Sequence, residues 1–93
     1  MEEASDHIDS LGRVQYSKAL GVKLQQLRMK SGLSQEKIAH ASGISAYTYQ
    51  KFEKGESKPG TPMNPRLFTL MSLAETFNTT VSELLELKEF LDI

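Results

Sequence analysis

The chain of 93 residues contains no cysteine and no tryptophan, and it has only two histidines, His7 and His40. Without cysteine there can be no disulfide and no thiolate metal site, an absence typical of an intracellular protein. The two histidines lack the spacing of a metal site or of a nucleophile with its base, and no glycine-rich phosphate loop is present. We therefore expect a protein that is not an enzyme and that uses no metal or cofactor.

Long apolar runs are also missing, since none approaches the roughly 20 residues that a helix needs to cross a bilayer. The start, MEEASDHIDS, is acidic and lacks the apolar segment of a signal peptide. The length suffices for one modest domain. We expect a single cytoplasmic domain with no membrane contact and no room for a small-molecule effector domain.

Acidic residues are scarce in the middle of the chain, although the net charge of the whole chain is -1. Residues 15–66 carry nine basic and three acidic side chains, a net of +6, whereas residues 1–14 carry -3 and residues 67–93 carry -4. Because salt screens charges beyond about 8–10 Å, a polyanion responds to a local patch more than to the total. The middle is a candidate nucleic-acid surface, and the alternative is a solvated surface of uneven charge.

Alternating strand patterns are absent as well, and the apolar spacing is helical throughout. Leu20, Leu24 and Leu27 predict a first helix from about residue 16 to residue 30. Ser34 is a suitable cap for a second helix, which ends before a glycine.

The second half of the chain predicts three more helices. A turn at residues 43–45 leads into a third helix at 45–54, which is followed by an extended loop at 55–65. A fourth helix is expected to begin with Asn64 as its cap, and a capping box predicts a C-terminal helix at 80–91. The predicted inward stripe of the fourth helix is Leu67, Leu70, Met71, Ala74 and Phe77.

Together these elements predict an all-α fold, a compact five-helix bundle. Residues 1–15 are expected to form an acidic, mobile tail, and residues 16–91 form the folded domain.

The third helix divides into two faces on a helical wheel. Tyr49 and Phe52 fall on one side and are predicted core residues. The other side combines an aromatic, an amide and two cations with no acid, a set that suits base edges and phosphates. Its members are Tyr47, Gln50, Lys51 and Lys54.

Glu53 lies near the buried side of the same helix. A buried carboxylate is costly unless a cation and hydrogen bonds compensate it. Arg28 on the first helix is the predicted partner, because its planar guanidinium suits bidentate pairing.

The run LGVKLQQLRMKSGLSQEKIAHASGISAYTYQKFEKG resembles the Cro/cI-type (XRE family) helix-turn-helix of phage repressors and bacterial regulators. The resemblance covers about residues 18–87. Its markers, ordered along the chain, are Leu20-Gly21, Leu27-Arg28, Gly32-Leu33-Ser34-Gln35, Ala39, Gly43-Ile44-Ser45 and Glu53-Lys54-Gly55. The sequence departs from the pattern at Ser42, at Tyr49 and in the longer loop at 55–65.

The resemblance implies a phage-repressor-like fold and a DNA-binding regulator of transcription, such as a repressor. The third helix would be the recognition helix in the major groove of double-stranded DNA. The implied base-contacting residues are Ala46, Tyr47, Thr48, Gln50 and Lys51. The implied phosphate-contacting residues are Gln35, Ser45, Lys54, Lys58 and Arg66. Arg28 and Glu53 match the internal ion pair of the family.

One helix-turn-helix contacts only a half-site, so a homodimer on a palindromic operator is the usual arrangement. The C-terminal helix carries more apolar surface than one face can bury, as expected of an interface. We expect the dimer interface to include Leu84, Leu87, Phe90 and Leu91. The alternative is a protein-interaction module, such as an antitoxin whose main partner is a toxin.

Overall fold

The computed structural model describes the backbone of residues 2–91 and the side chains of residues 12–91. These residues form five α-helices, a two-stranded hairpin and a final 3-10 helix, so the predicted all-α, five-helix fold is confirmed with a small hairpin added. The elements are α1 (Glu2–Ser31), α2 (Gln35–Ser42), α3 (Ala46–Lys54), β1 (Glu56–Lys58), β2 (Thr61–Pro62), α4 (Leu67–Thr76), α5 (Val81–Leu84) and η1 (Lys88–Phe90).

Helix α1 is longer than the sequence predicts, because it begins at Glu2 and not near residue 16. Its carboxyl half packs into the domain through Leu20 and Leu24, which are buried as expected. The tail predicted for residues 1–15 falls largely on side chains outside the described part of the chain, and its mobility stays a prediction.

The core lies between α1, α2, α3, α4 and the C-terminal segment. Tyr49 is fully buried in it and Phe52 almost so, in agreement with the helical wheel. The other core residues are Ala19, Leu20, Leu24, Ile38, Ala39, Leu73, Ala74, Leu84 and Leu87.

Helices α1 and α3 are in direct backbone contact at Gly21. A Cβ atom there would lie 2.8 Å from the carbonyl oxygen of Phe52 and would overlap that of Glu53. Only a residue without a side chain allows this approach, so Gly21 fixes how closely α3 can rest on α1.

The turn between α2 and α3 is built as the sequence predicts. Gly43 has a φ of +74°, a left-handed conformation that costs glycine little, and its N–H donates to the carbonyl of His40 at 3.1 Å. Ser34 and Ser45 cap α2 and α3 by accepting hydrogen bonds from Lys37 N at 3.2 Å and Thr48 N at 3.0 Å.

Helix α4 differs from its prediction in start and in face. It begins at Leu67, with Arg66 as its N-cap, and not at Asn64. Leu73 and Ala74 are buried, while Leu67 and Met71, both expected inward, are 60% and 50% exposed. Phe68 beside them is 76% exposed, so the amino half of α4 carries an outward apolar patch: Leu67, Phe68 and Met71.

The predicted C-terminal helix at 80–91 is wrong in length. Thr80 caps α5 by accepting from Glu83 N at 3.0 Å, but the helix ends at Leu84. The chain then turns so that Leu87 is buried beside Leu84, and Lys23 Nζ donates to the carbonyl of Glu86 at 3.3 Å.

This turn places two residues of the predicted dimer interface in the core of the chain, where Leu84 and Leu87 are 0% and 4% exposed. The dimer interface itself stays a prediction. Phe90 and Leu91 are partly buried and pack against the same core.

A pair of hydroxyls joins α2 to α4. Ser42, which stands where the resemblance favours an apolar residue, is 5% exposed, and its Oγ lies 2.7 Å from Oγ1 of Thr76. The hydrogen bond explains how a polar side chain is accommodated at this buried position.

Candidate nucleic-acid interface

The inward side of α3 is held by polar side chains from two other helices. Glu53 accepts from Arg28 of α1, with Nε 2.6 Å from Oε2 and Nη2 3.2 Å from Oε1. Gln35 at the start of α2 donates from Nε2 to Oε1 of Glu53 at 2.9 Å. The structure thus brings the predicted partners Arg28 and Glu53 together, and the bidentate contact restricts the orientation of α3.

Both members of the pair are charged at neutral pH. Burial alone would raise the pKa of Glu53, but the hydrogen bonds of Arg28 and Gln35, together with the nearby hydroxyl of Tyr49, outweigh it and lower that pKa. The hydrogen bond to Glu53 raises the pKa of Arg28 despite its partial burial. The side chains of Arg28 and Glu53 are 18% and 6% exposed, so water screens the attraction little.

Tyr49 completes this inner side with a neutral hydroxyl. Burial, followed by the proximity of Glu53, raises the pKa of Tyr49 well above its ordinary value. Its hydroxyl is close enough to influence Glu53, yet it does not meet hydrogen-bond geometry with any atom of residues 12–91. Its ring fills the core, and the ion pair restrains α3.

The outward side of α3 carries the predicted aromatic, amide and cationic side chains. Tyr47 is 68% exposed, and Gln50 and Lys54 are exposed as well. Lys51 is partly covered, and its Nζ lies 4.1 Å from the centroid of the Tyr47 ring. This cation–π contact between residues four apart makes Tyr47 and Lys51 a single unit on the surface of the helix.

The amino end of α3 presents the remaining predicted base contacts. Ala46 and Thr48 are partly buried, and Ala46 packs against the core. The hydroxyl of Ser45 accepts from the N–H of Thr48 and donates to Oγ1 of Thr48 at 2.9 Å. The hydroxyls of Ser45 and Thr48 are therefore hydrogen-bonded to each other, and the role that the structure supports for these residues is to cap the helix.

The carboxyl end of α3 and the hairpin enclose an open cleft of about 290 Å³. Lys58, a predicted phosphate contact, reaches this cleft from β1, whereas Arg66 lies at the amino end of α4 and does not line it. The lining residues are Tyr47, Gln50, Lys51, Lys54, Glu56, Ser57, Lys58 and Pro59.

Glu56, Ser57 and Pro59 also line this surface, which the loop predicted at 55–65 did not indicate. The signal was present in the run KPGT at residues 58–61, since proline followed by glycine at the centre of a four-residue turn is typical of a type II turn. The sequence pattern predicted only an extended loop at 55–65, and such a loop does not indicate where its side chains lie relative to α3.

Among the side chains that the structure describes, no group of three or more His, Cys, Asp or Glu residues could hold a metal ion. None of the described helices is long and apolar enough to cross a membrane.

Sequence comparison assigns the class of this fold. A family model described as helix-turn-helix domain matches residues 19–87, which include α2, the turn and α3. The chain belongs to this helix-turn-helix family and is of the Cro/cI (XRE) type.

Two curated proteins are similar to the chain. The HTH-type transcriptional regulator DdrOP3 of Deinococcus deserti is 41% identical over 68 residues, 73% of this chain and 48% of that protein. The cryptic phage CTXphi transcriptional repressor RstR of Vibrio cholerae is 32% identical over 62 residues, 67% of this chain and 50% of that protein. The chain spans about half the length of these relatives. No solved structure matches it significantly.

Proposed function

We propose that the protein is a sequence-specific DNA-binding transcriptional regulator whose helix α3 enters the major groove. The observation that carries this proposal is the division of α3 into an inner side held by Arg28 and Gln35 and an outer side that carries cations. A rigidly held helix with exposed amide, aromatic and ammonium groups suits the donor and acceptor pattern of base edges. The proposed base contacts are Ala46, Tyr47, Thr48, Gln50 and Lys51.

Phosphate contacts supply most of the affinity in this proposal. The candidates are Gln35, Ser45, Lys54, Lys58 and Arg66. Gln35 has one amide hydrogen committed to Glu53, which leaves its second hydrogen for a phosphate. At Ser45 the side chain is engaged in the cap, so the helix amino terminus is the better donor there. Each neutralised phosphate releases counterions, and affinity therefore falls as salt rises.

The protein acts as a homodimer on a palindromic operator, most simply as a cytoplasmic repressor. A single helix-turn-helix reads one half-site, and two-fold symmetry doubles the contact. With Leu84 and Leu87 buried, the surface for self-association is the outward patch of α4, formed by Leu67, Phe68 and Met71. Exposed apolar clusters of this kind mark interfaces.

The function is tested by selecting binding sites from a random duplex pool at low salt, with the mass in solution measured alongside. The expected result is an enriched sequence with two inverted half-sites and a mass of two chains. Phe68→Asp should shift the mass to one chain, whereas Met29→Asp, a control at a similarly exposed apolar residue of α1, should not.

A protein-interaction module of the antitoxin type is the second candidate, and the same α4 patch favours it. If the protein is such a module, no duplex should be enriched and the protein should be a monomer in solution. Failure to enrich any sequence at low salt would overturn the DNA-binding proposal.

A further inference from the structure

Tyr47 is the most exposed aromatic side chain of α3, and it stands in the first turn of that helix. The helix runs from Ala46 to Lys54, so Tyr47 is its second residue, and 68% of the residue is exposed. The residues at the amino end of a recognition helix are those that contact base edges in the major groove. The ring of Tyr47 is therefore a large apolar surface that is available to a base.

The ammonium of Lys51 lies over one face of this ring. Its Nζ is 4.1 Å from the ring centroid, and the contact restricts the orientations of a long and otherwise flexible side chain. No described carboxylate lies within ion-pair distance of Lys51, so its N–H donors are not committed to an acid. The two residues present an apolar ring edge and a positioned donor side by side.

The spacing and chemistry of the two groups fit two adjacent bases. Successive bases of one DNA strand are about 3.4 Å apart, close to the distance between Lys51 Nζ and the ring of Tyr47. An ammonium has only donors, so it favours guanine, the base that presents two acceptors, O6 and N7, in the major groove. An aromatic edge favours the apolar group that bases present there, the 5-methyl group of a pyrimidine.

We propose that Tyr47 and Lys51 together read a 5-methylpyrimidine next to a guanine on the same strand. The ring of Tyr47 contacts the methyl group, and Nζ of Lys51 donates to O6 and N7 of the guanine. Thymine carries this methyl group, and so does cytosine that is methylated at C5. Binding to a site with cytosine at this position therefore depends on DNA methylation. The inference rests on the proposed function and adds to it the bases that α3 reads.

Base analogues that differ by one group test the methyl contact, with affinity for the selected duplex as the readout. The duplex selected from the random pool should contain a thymine next to a guanine in each half-site. Replacing this thymine by uracil removes only the methyl group and should weaken binding about fourfold, as expected for one buried carbon group. Tyr47→Ala should bind the two duplexes equally. Tyr47→Phe keeps the ring and should distinguish them as the unaltered protein does.

The guanine contact is tested with 7-deazaguanine, which lacks the N7 acceptor and still pairs with cytosine. It should weaken binding of the unaltered protein about fivefold, the lower end of the range for a bidentate contact, because O6 remains. Lys51→Met keeps an unbranched side chain without the ammonium and should bind the two duplexes equally. Lys54→Ala is the matched control, since it should lower the affinity for every duplex and leave both ratios unchanged.

A third set of duplexes separates the two sources of the methyl group. The thymine and its adenine partner are replaced by cytosine and guanine, with the cytosine either unmodified or methylated at C5. Methylation should strengthen binding of the unaltered protein about fourfold and leave that of Tyr47→Ala unchanged. If methylation has no effect while thymine is still preferred to uracil, thymine is the only source and the dependence on DNA methylation is overturned.

The two proposals fail separately in these experiments. If the unaltered protein selects no duplex, the proposed function fails. If it selects a duplex without the thymine and guanine neighbours, or binds the uracil and thymine duplexes equally, the methyl contact fails and the function of α3 stands. The methyl contact also fails if Tyr47→Ala distinguishes these duplexes as well as the unaltered protein does.

Discussion

The charged side chains on the two sides of helix α3 differ in whether they are paired within the protein. On the inner side, Glu53 is paired with Arg28 at 2.6 Å and bonded to Gln35, and little of it reaches solvent. On the outer side, Lys51 and Lys54 have no described carboxylate within ion-pair distance. The inner charges are paired with each other and orient the helix. The outer charges have no opposite charge beside them among the described residues, so they are available to a ligand. Substitutions on the two sides should therefore change different measured quantities.

The largest effect is expected from breaking the inner pair. Arg28→Ala leaves Glu53 buried without its cation and should lower the free energy of unfolding by about 3–5 kcal/mol, as for other buried pairs that lose one member. Chemical denaturation measures the change. Lys30→Ala, an exposed cation of the same helix, should change stability by less than about 0.5 kcal/mol. Equal effects of the two would contradict the role of the pair.

Acidification should also lower the stability that Glu53 contributes, and this effect should be smaller than that of Arg28→Ala. The folded-state pKa of Glu53 is lowered, so its stabilising contribution is complete above its unfolded value of about 4.3 and is lost as pH falls through the lower folded value. The free energy of unfolding should accordingly decrease below about pH 4.3. Glu53→Gln should be less stable at neutral pH and show a smaller decrease on acidification. Parallel pH curves for the two proteins would contradict the assignment.

The backbone contact of α1 and α3 should also respond to a small change. Gly21→Ala places a methyl group against the carbonyl oxygens of Phe52 and Glu53, and overpacking of this kind costs about 1–3 kcal/mol. Gly12→Ala is the matched control, because a Cβ at Gly12 has no neighbour within 4 Å. Thermal unfolding should show Gly21→Ala less stable, and Gly12→Ala unchanged or slightly more stable.

Substitutions on the outer side should leave stability nearly unchanged and alter recognition. Tyr47→Ala removes a side chain that is 68% exposed and whose ring contacts Lys51 Nζ. It should reduce the preference for the selected site over random duplex by about 1–3 kcal/mol. Tyr47→Phe keeps the ring and should retain the part of the preference that depends on Lys51. If Tyr47→Ala selected the same sequence with the same preference, the reading face would be assigned wrongly.

The smallest effect is expected from the loss of one phosphate contact, and it should be the same for all duplex sequences. Lys54→Ala removes a proposed phosphate contact, so it should weaken binding to all duplexes alike and reduce the salt slope by about one. Titrations of selected and random duplexes at several salt concentrations measure both quantities. A loss confined to the selected duplex would make Lys54 a base contact instead.

Helix α3 could be predicted from the sequence because its signals are local. Ser45 and Gly55 mark its ends, and the 3.6-residue period separates Tyr49 and Phe52 from Tyr47 and Lys51. The pairing of Arg28 with Glu53 followed from the cost of a buried charge.

The C-terminal segment could not be predicted in the same way. Thr80 and Glu83 correctly marked the start of α5, but its end depends on contacts with α1. The burial of Leu87 and the bond from Lys23 to the carbonyl of Glu86 favour a turn where local propensity alone would continue the helix. The position of the hairpin likewise depends on a residue far away in the chain, Ser17.

The bond from Gln35 to Glu53 means that three helices share one carboxylate, although only α3 is proposed to read bases. A genetic screen for loss of operator binding should therefore recover Arg28 together with positions of the reading face. Such alleles would separate by protein level in the cell: the Arg28 class would be depleted by degradation, and the Tyr47 class would accumulate normally. Abundance, measured beside activity, would sort the inner side of the helix from the outer side without a structure of the complex.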